Sequence, residues 1–177
     1  KTDFPVQFYA ATKKSCEVMS HAFTTIYKLP TTVLRFFTVY GPYGRPDMAY
    51  YNFAENITNN KQISVFNYGK QTRDFTYIDD ITNAITKIVK KPPTKKINYY
   101  RILNIGKGKS DKLSDFIKYL ELYLGKKAKK KLIDHQLGDV KYTRASVKKL
   151  QKLIGFKPKV SLRNGLQKFT DWYLRKN

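Results

Sequence analysis

Cysteine is almost missing from this chain. The single one, Cys16, excludes a disulfide within the chain and any zinc site built on thiolates. Histidine is nearly as scarce, and His21 and His135 lie too far apart to show ligand spacing, so no metal is expected. Long apolar runs are missing too: nothing approaches the roughly 18 consecutive apolar residues of a membrane span. The opening KTDFPVQF has no apolar signal core. These absences point away from disulfide-stapled and membrane-embedded classes and fit a reducing cytoplasm.

Acidic residues are the other scarcity, with 13 Asp and Glu against 35 Lys and Arg, a net charge of +22. The imbalance is uneven. Residues 1–80 hold 9 basic and 7 acidic side chains, whereas residues 81–177 hold 26 and 6. The excess collects in runs such as KKPPTKK and GKKAKKKL. Such charge attracts phosphates, nucleic acid or acidic membranes. No nucleic-acid motif accompanies it, so a lysine-rich solvated surface is the favoured reading and nucleic acid is a disfavoured partner.

What is present is enough for a core: 177 residues, 41% of them hydrophobic and 15% aromatic. A helix is predicted from Tyr9 to Tyr27, where Val18, Met19, Ala22, Phe23 and Ile26 recur at helical spacing as one apolar stripe. TTVLRFFTVYGP follows, β-branched and aromatic, and reads as one buried strand closed by Gly41-Pro42. Helix, short turn and buried strand form half of an α/β unit and suggest a parallel sheet.

Further on, AYYNFAENITNN reads as a helix stopped at Asn59-Asn60, ISVFNYG and TRDFTYIDD as short strands, and ITNAITKIVKK as a helix capped by Asp79-Asp80. YYRILNIG is a strand, and KLSDFIKYLELYLG an amphipathic helix ended by Gly125. KKKLIDH is a further strand, and ASVKKLQKLIG and LRNGLQKFTDWYLRKN are two more helices. GKGKS, Gly106 to Ser110, is not a phosphate loop, because G-x-x-x-x-G-K-[ST] needs glycine where Leu103 stands. It reads as a strand-to-helix turn with Ser110 or Asp111 as cap.

The chemistry-bearing spacing is QFYAATKKSCE. Tyr9 and Lys13, four apart on a helix, share a face. A free tyrosine titrates at about 10 and is a poor base at neutral pH. An ammonium within a few ångströms favours the phenolate, and such a pair can take a proton from a sugar hydroxyl. The spacing by itself is also met on ordinary exposed helices.

Context adds to it. YAATKKSCE, LPTTVLRFFTVYGPYGRPDMA, ISVFNYGKQTRDFTYIDDI, LNIG and LGDV follow one another in an order that resembles the extended short-chain dehydrogenase/reductase family of nucleotide-sugar epimerases and dehydratases. The nearest likeness is to bacterial UDP-glucuronate 4-epimerases of capsular polysaccharide biosynthesis, and it runs over essentially the whole chain. RFFTVYGP, GRPDMA and RDFTYIDD are its specific segments; LNIG and the tail helices are not.

The resemblance implies roles. Tyr9 is the expected base, and Lys13 lowers its pKa and binds the nicotinamide ribose. Phe37 lies against the nicotinamide of NAD. Thr38 contacts substrate at the strand end, and Arg45 faces the uronate carboxylate or the diphosphate. Val65, Phe66 and Asn67 line the uracil site. Arg73 clamps the diphosphate, its alternative being a surface pair with Asp74, and Asp139 approaches the ribose. Asp79 and Asp80 are not catalytic candidates. The implied reaction removes a proton and a hydride at the sugar C4, turns the 4-keto sugar over, and returns both. With a uronic acid the intermediate is a β-keto acid, and Thr38 and Arg45 are the candidates for holding its carboxylate out of line for decarboxylation.

The resemblance also marks departures. The family's Gly-rich strand–turn–helix and the Ser/Thr partner of the Tyr–Lys pair do not precede Tyr9, and Ser146 stands where relatives carry Asp. The implied fold is therefore α/β: the C-terminal part of a Rossmann-type parallel sheet plus the smaller α/β nucleotide-sugar-binding domain. Residues 1–45 are expected to belong to the NAD domain and 46–177 mainly to the sugar-nucleotide domain, with 74–105 returning to the Rossmann sheet. The expectation is a fragment, inactive alone, of an epimerase that is homodimeric at full length. A UDP-glucuronate decarboxylase, a UDP-glucose 4-epimerase and a non-catalytic UDP-sugar-binding module remain open alternatives.

Overall fold

The computed structural model describes residues 3–135 and 138–176; Leu137, the first residue of LGDV, and Asn177 lie outside the described residues. Six α-helices and eight strands follow one another along it. They are α1 Phe8–Tyr27, β1 Thr31–Phe36, β2 Thr38–Tyr40, α2 Ala49–Thr58, β3 Gln62–Phe66, β4 Thr72–Arg73 and β5 Phe75–Tyr77. Then come α3 Ile78–Val89, β6 Tyr100–Ile105, β7 Asp111–Lys112, α4 Leu113–Leu124, β8 Lys129–Ile133, α5 Lys148–Ile154 and α6 Leu162–Lys176.

Three of the four strand pairs are parallel: β1 with β6, β2 with β5, and β3 with β8. The antiparallel one sets Arg73 opposite Asp111. The predicted single strand TTVLRFFTVY is two. β1 runs in register from Thr31 opposite Tyr100 to Phe36 opposite Ile105, and Phe37 N–H donates to the Ile105 carbonyl at 3.1 Å. At Thr38 the chain changes partner, its N–H donating to Asp74 O at 3.1 Å. The break exists because β6 ends at Ile105 and turns away through Gly106, leaving β5 as the next acceptor row.

Alternation sorts the β6 side chains. Leu103 and Ile105 pack with Ile81, Ala84 and Ile88 of α3 and with Leu150 of α5, while Tyr100, of opposite parity, reaches α1 and donates its hydroxyl to Glu17 O at 2.9 Å. The larger core joins α2, α4, α6 and β3 around Tyr40, which is ringed edge-on by Tyr50, Phe75, Tyr77 and Phe116 at centroid distances of 5.6–6.5 Å. Burial pushes the Tyr40 phenol far up, and that of Tyr77 up to about 12, so both stay neutral there. Gly165 is required here by close approach: a Cβ would sit 2.2 Å from the Tyr40 hydroxyl oxygen.

Three local expectations change. The apolar stripe of α1 is turned outward: Val18, Met19, Phe23 and Ile26 are each more than half exposed, and the buried positions are Glu17 and Thr24. Asp79 and Asp80 sit inside α3, whose cap is Tyr77. They suit the positive end of the helix dipole, but Asp80 is buried because it accepts the N–H groups of Lys159 and Val160 at 3.0 and 3.1 Å. Neither Ser110 nor Asp111 caps α4: Ser110 donates to Thr143 O, Asp111 pairs with Lys107, and Lys112 holds the cap position. Among the described residues no helix is long and apolar enough to cross a membrane, and no group of His, Cys, Asp and Glu could hold a metal ion. The lysines of β8 and of the loop before it are exposed on the strand surface, where charge blocks edge pairing with another chain.

Candidate active site

Tyr9 and Lys13 leave the first turns of α1 on one face, as their spacing requires. Lys13 Nζ lies 5.3 Å from the Tyr9 ring centroid. Tyr9 is 68% exposed, and among the described residues neither side chain is spent on a hydrogen bond or an ion pair. Both remain available to a ligand.

The helix that carries them is held by charge. Glu17, one further turn along the same face, accepts Arg35 Nε at 2.5 Å and Nη2 at 2.6 Å, with Lys14 at 3.6 Å. The Arg35 fork holds the Glu17 carboxyl below its ordinary value of 4.5. The pair locks α1 to β1, whose far end presents Phe37 and Thr38. Phe37 and Thr38 are half-buried at the β1–β2 break. They stand at the carboxyl end of a parallel pair, where open α/β sheets bind ligands.

A second cluster is built on β4. Arg73 Nη2 donates to Asp139 Oδ1 at 2.8 Å, and Gln71 Nε2 donates to Asp139 Oδ2 at 2.6 Å. Arg73 also donates to its neighbour's carbonyl, Thr72 O, at 3.1 Å and to Gln71 Oε1 at 3.4 Å. Its side chain is 14% exposed. The partner of Arg73 is thus Asp139 and not Asp74. Asp74 is fully buried, its carboxylate accepting the N–H groups of Lys107, Gly108 and Ala145 at 2.7–2.9 Å and the Thr76 hydroxyl at 3.0 Å. Gly106 passes so close that a Cβ would lie 3.1 Å from Asp74 Oδ2 and 2.6 Å from the Ala145 side chain.

Among the described residues one side-chain bond joins the two clusters. Gln7, the cap residue of α1, donates Nε2 to Gly138 O at 2.5 Å, which sets the start of the Tyr9 helix beside Asp139. The segment 138–143 is tied to β4 by Thr72 N–H to Lys141 O and Thr143 N–H to Thr72 O. Asp134 accepts the Tyr68 hydroxyl at 2.5 Å, tying the end of β3 to the stretch after β8.

At that end Val65 is 2% exposed, within the core, and so offers backbone and not side chain. Phe66 is 37% exposed, and Asn67 takes a left-handed backbone with φ 49°. Arg45 stands apart: its guanidinium forks onto Asp47 at 2.8 and 3.1 Å and is 75% exposed. Among the described residues it bonds none of the other predicted site residues.

Sequence reasoning missed Gln7, Glu17, Arg35 and Gln71. Glu17 left a signal, an acid four residues beyond Lys13 on the same helical face, facing a strand with one arginine. Gln7 and Gln71 left none, since glutamine is ordinary on a surface.

Residues 1–106 match the model of the NAD dependent epimerase/dehydratase family. Over 97% of its length the chain is 46% identical to the protein CapI of Staphylococcus aureus, covering 55% of that protein. Over 98% it is 40% identical to a probable UDP-glucuronate 4-epimerase of Rhizobium meliloti, again covering 55%. The UDP-glucuronic acid 4-epimerase of Bacillus cereus, solved with UDP-glucuronic acid and NAD, superposes with a TM-score of 0.88 at 34% identity, over 98% of this chain and 55% of that one. The chain spans about half the length of the curated relatives it matches. With its parallel strand pairs, its Tyr–Lys helix and a family match over most of its length, the chain belongs to the NAD dependent epimerase/dehydratase family.

Proposed function

We propose that the chain serves an NAD-dependent nucleotide-sugar 4-epimerase whose substrate is UDP-glucuronate, and that it supplies the acid–base pair and most of the sugar-nucleotide site. The observation that carries this reading is the Gln7–Gly138 bond, which holds an unspent tyrosine–lysine pair next to an arginine–aspartate anion site. Relatives that share this architecture are named for this activity.

The residues present suit the cofactor. Tyr9 and Lys13 offer a hydroxyl and an ammonium to a ribose from one exposed helical face, and Phe37 offers a half-buried ring for a nicotinamide at the strand end. Bound there, NAD supplies a hydride acceptor and donor at the sugar C4. Tyr9, as the phenolate that Lys13 stabilises, takes the C4 hydroxyl proton, holds it as the neutral phenol while the sugar turns, and then returns it. Arg73 clamps the diphosphate with its planar fork, and Asp139 accepts from the ribose. Phe66, Asn67 and the Val65 backbone border the uracil. Arg45 exchanges Asp47 for the uronate carboxylate, and with Thr38 keeps it out of line with the ketone.

Residues 1–45 and 74–105 form the cofactor side and the remainder the sugar side, a division supported by the pairing of β1 with β6. The outward apolar face of α1 becomes the homodimer contact of the full-length enzyme in the cytoplasm. Calorimetric titration with UDP-glucuronate tests the reading. Binding that Arg73→Gln weakens at least about tenfold is expected. Binding indifferent to Arg73, or none, overturns the placement of the nucleotide. NAD is expected not to bind these 177 residues alone, because no Gly-rich phosphate cradle lies among them.

A further inference from the structure

Arg73 is not an open anion site. Its guanidinium already faces a carboxylate 2.8 Å away, and that carboxylate has a second donor in Gln71 at 2.6 Å. Gln71 is 7% exposed and its amide has one usable orientation. The oxygen accepts from Arg73 while the nitrogen donates to Asp139, and a flipped amide would set like against like at both ends. Nor can Asp139 leave with its loop. Gly138 is pinned by Gln7, and Lys141 and Thr143 are pinned by the Thr72 backbone. Any anion that reaches Arg73 therefore arrives beside a fixed negative charge.

We infer that Asp139, held by Gln71, makes the Arg73 site selective for a diphosphate that carries a ribose, by guarding the guanidinium against bare anions. This rests on the nucleotide-sugar reading above and adds to it the rule by which ligands are chosen. Inorganic pyrophosphate offers Asp139 no donor. It must share Arg73 with a carboxylate that repels it, a cost that grows where water is partly excluded. A nucleoside diphosphate brings ribose hydroxyls that donate to Asp139 as the guanidinium turns to phosphate. Each group that loses a partner then gains one. In a chain with a net charge of +22 the guard matters, since phosphates collect on this surface at many lysines.

The test is calorimetry on the chain, Asp139→Asn, Gln71→Leu and Arg73→Gln, each titrated with UDP and with inorganic pyrophosphate at one fixed salt concentration. In Asp139→Asn, pyrophosphate affinity is expected to rise about tenfold while UDP affinity falls several-fold. The gain must vanish when Arg73→Gln is added, which separates this site from the surface lysines. Gln71→Leu should shift both ligands in the same two directions by less. Asp139→Ser carries the same expectation as the amide variant, should that variant not fold. A merely structural role would weaken both ligands together, and that outcome, or pyrophosphate binding unchanged by Asp139→Asn, overturns the proposal. Failure of the unmodified chain to bind UDP at all would instead sink the nucleotide reading.

Discussion

The two halves of this molecule bury themselves differently. Around Tyr40 the helices α2, α4 and α6 enclose an aromatic core whose Phe169, Phe116, Leu120 and Leu166 are at most 1% exposed. Around β1 the sheet side has α3 and α5 packed on β6, while α1 meets it through the Glu17–Arg35 salt bridge and the Tyr100 and Thr31 hydroxyls and turns its apolar residues outward. The first region is held by burial. In the second, apolar packing holds α3 and α5 on β6, whereas α1 is tied by charge and leaves its apolar face exposed. The proposed site residues are divided between them: Tyr9 and Lys13 ride on α1, Arg73 on β4, and Asp139 on the segment after β8.

The comparison breaks first at Phe169. Phe169→Ala removes a fully buried ring packed on Tyr50 at 5.2 Å and is expected to cost about 3–5 kcal/mol in chemical denaturation. If the loss matches that of Phe23→Ala on the outer face of α1, expected within about 0.5 kcal/mol, the contrast between the regions is wrong.

Asp74→Ala comes next. It strips the carboxylate acceptor from three N–H groups, that of Ala145 buried and those of Lys107 and Gly108 partly so, and should cost about 2–4 kcal/mol. Because those groups hold Gly106 to Gly108 and Ala145, UDP affinity should fall as well. Unchanged affinity would show that the Arg73–Asp139 pair stands without this hub.

Glu17→Gln sharpens the electrostatic side. The folded Glu17 carboxyl lies below its ordinary 4.5, so its stabilisation is present above that pH and is lost as pH falls through the folded value. At pH 7 the variant should be less stable by about 1–3 kcal/mol, a charged hydrogen bond having been replaced by a neutral one. The gap to the unmodified chain should close as the pH drops below 4.5. A gap constant from pH 7 down to pH 3 would contradict a charge-held helix. Last and smallest in stability, Val18→Ser, Phe23→Ser and Ile26→Ser together should change folding by less than about 1 kcal/mol. They should still reduce self-association in sedimentation. No change in association would mean that this face contacts nothing of its own kind.

Much of this was legible in the chain. The element types and order follow from periodicity, turn residues and Gly125, which ends α4 with φ 66°. The alignment of Tyr9 with Lys13 follows from helical spacing. Arg73 is singled out in the sequence by the family resemblance of RDFTYIDD around it. These are local properties, set by backbone geometry within a few residues.

Other features depend on what lies across space. An apolar stripe says that a helix will be covered, not by what; the face that α1 turns to the sheet carries Glu17, paired with Arg35, and Thr24, bonded to Thr31. The split of TTVLRFFTVY came from where β6 runs out of acceptors. Asp139 reached Arg73 from 66 positions away, and Gln71 between them has no signature of its own. The sequence alone determined the local elements and which polar groups ride on them. The tertiary structure decided which charges meet, because a buried carboxylate or guanidinium must find a partner, and only the packed fold sets which one is within reach.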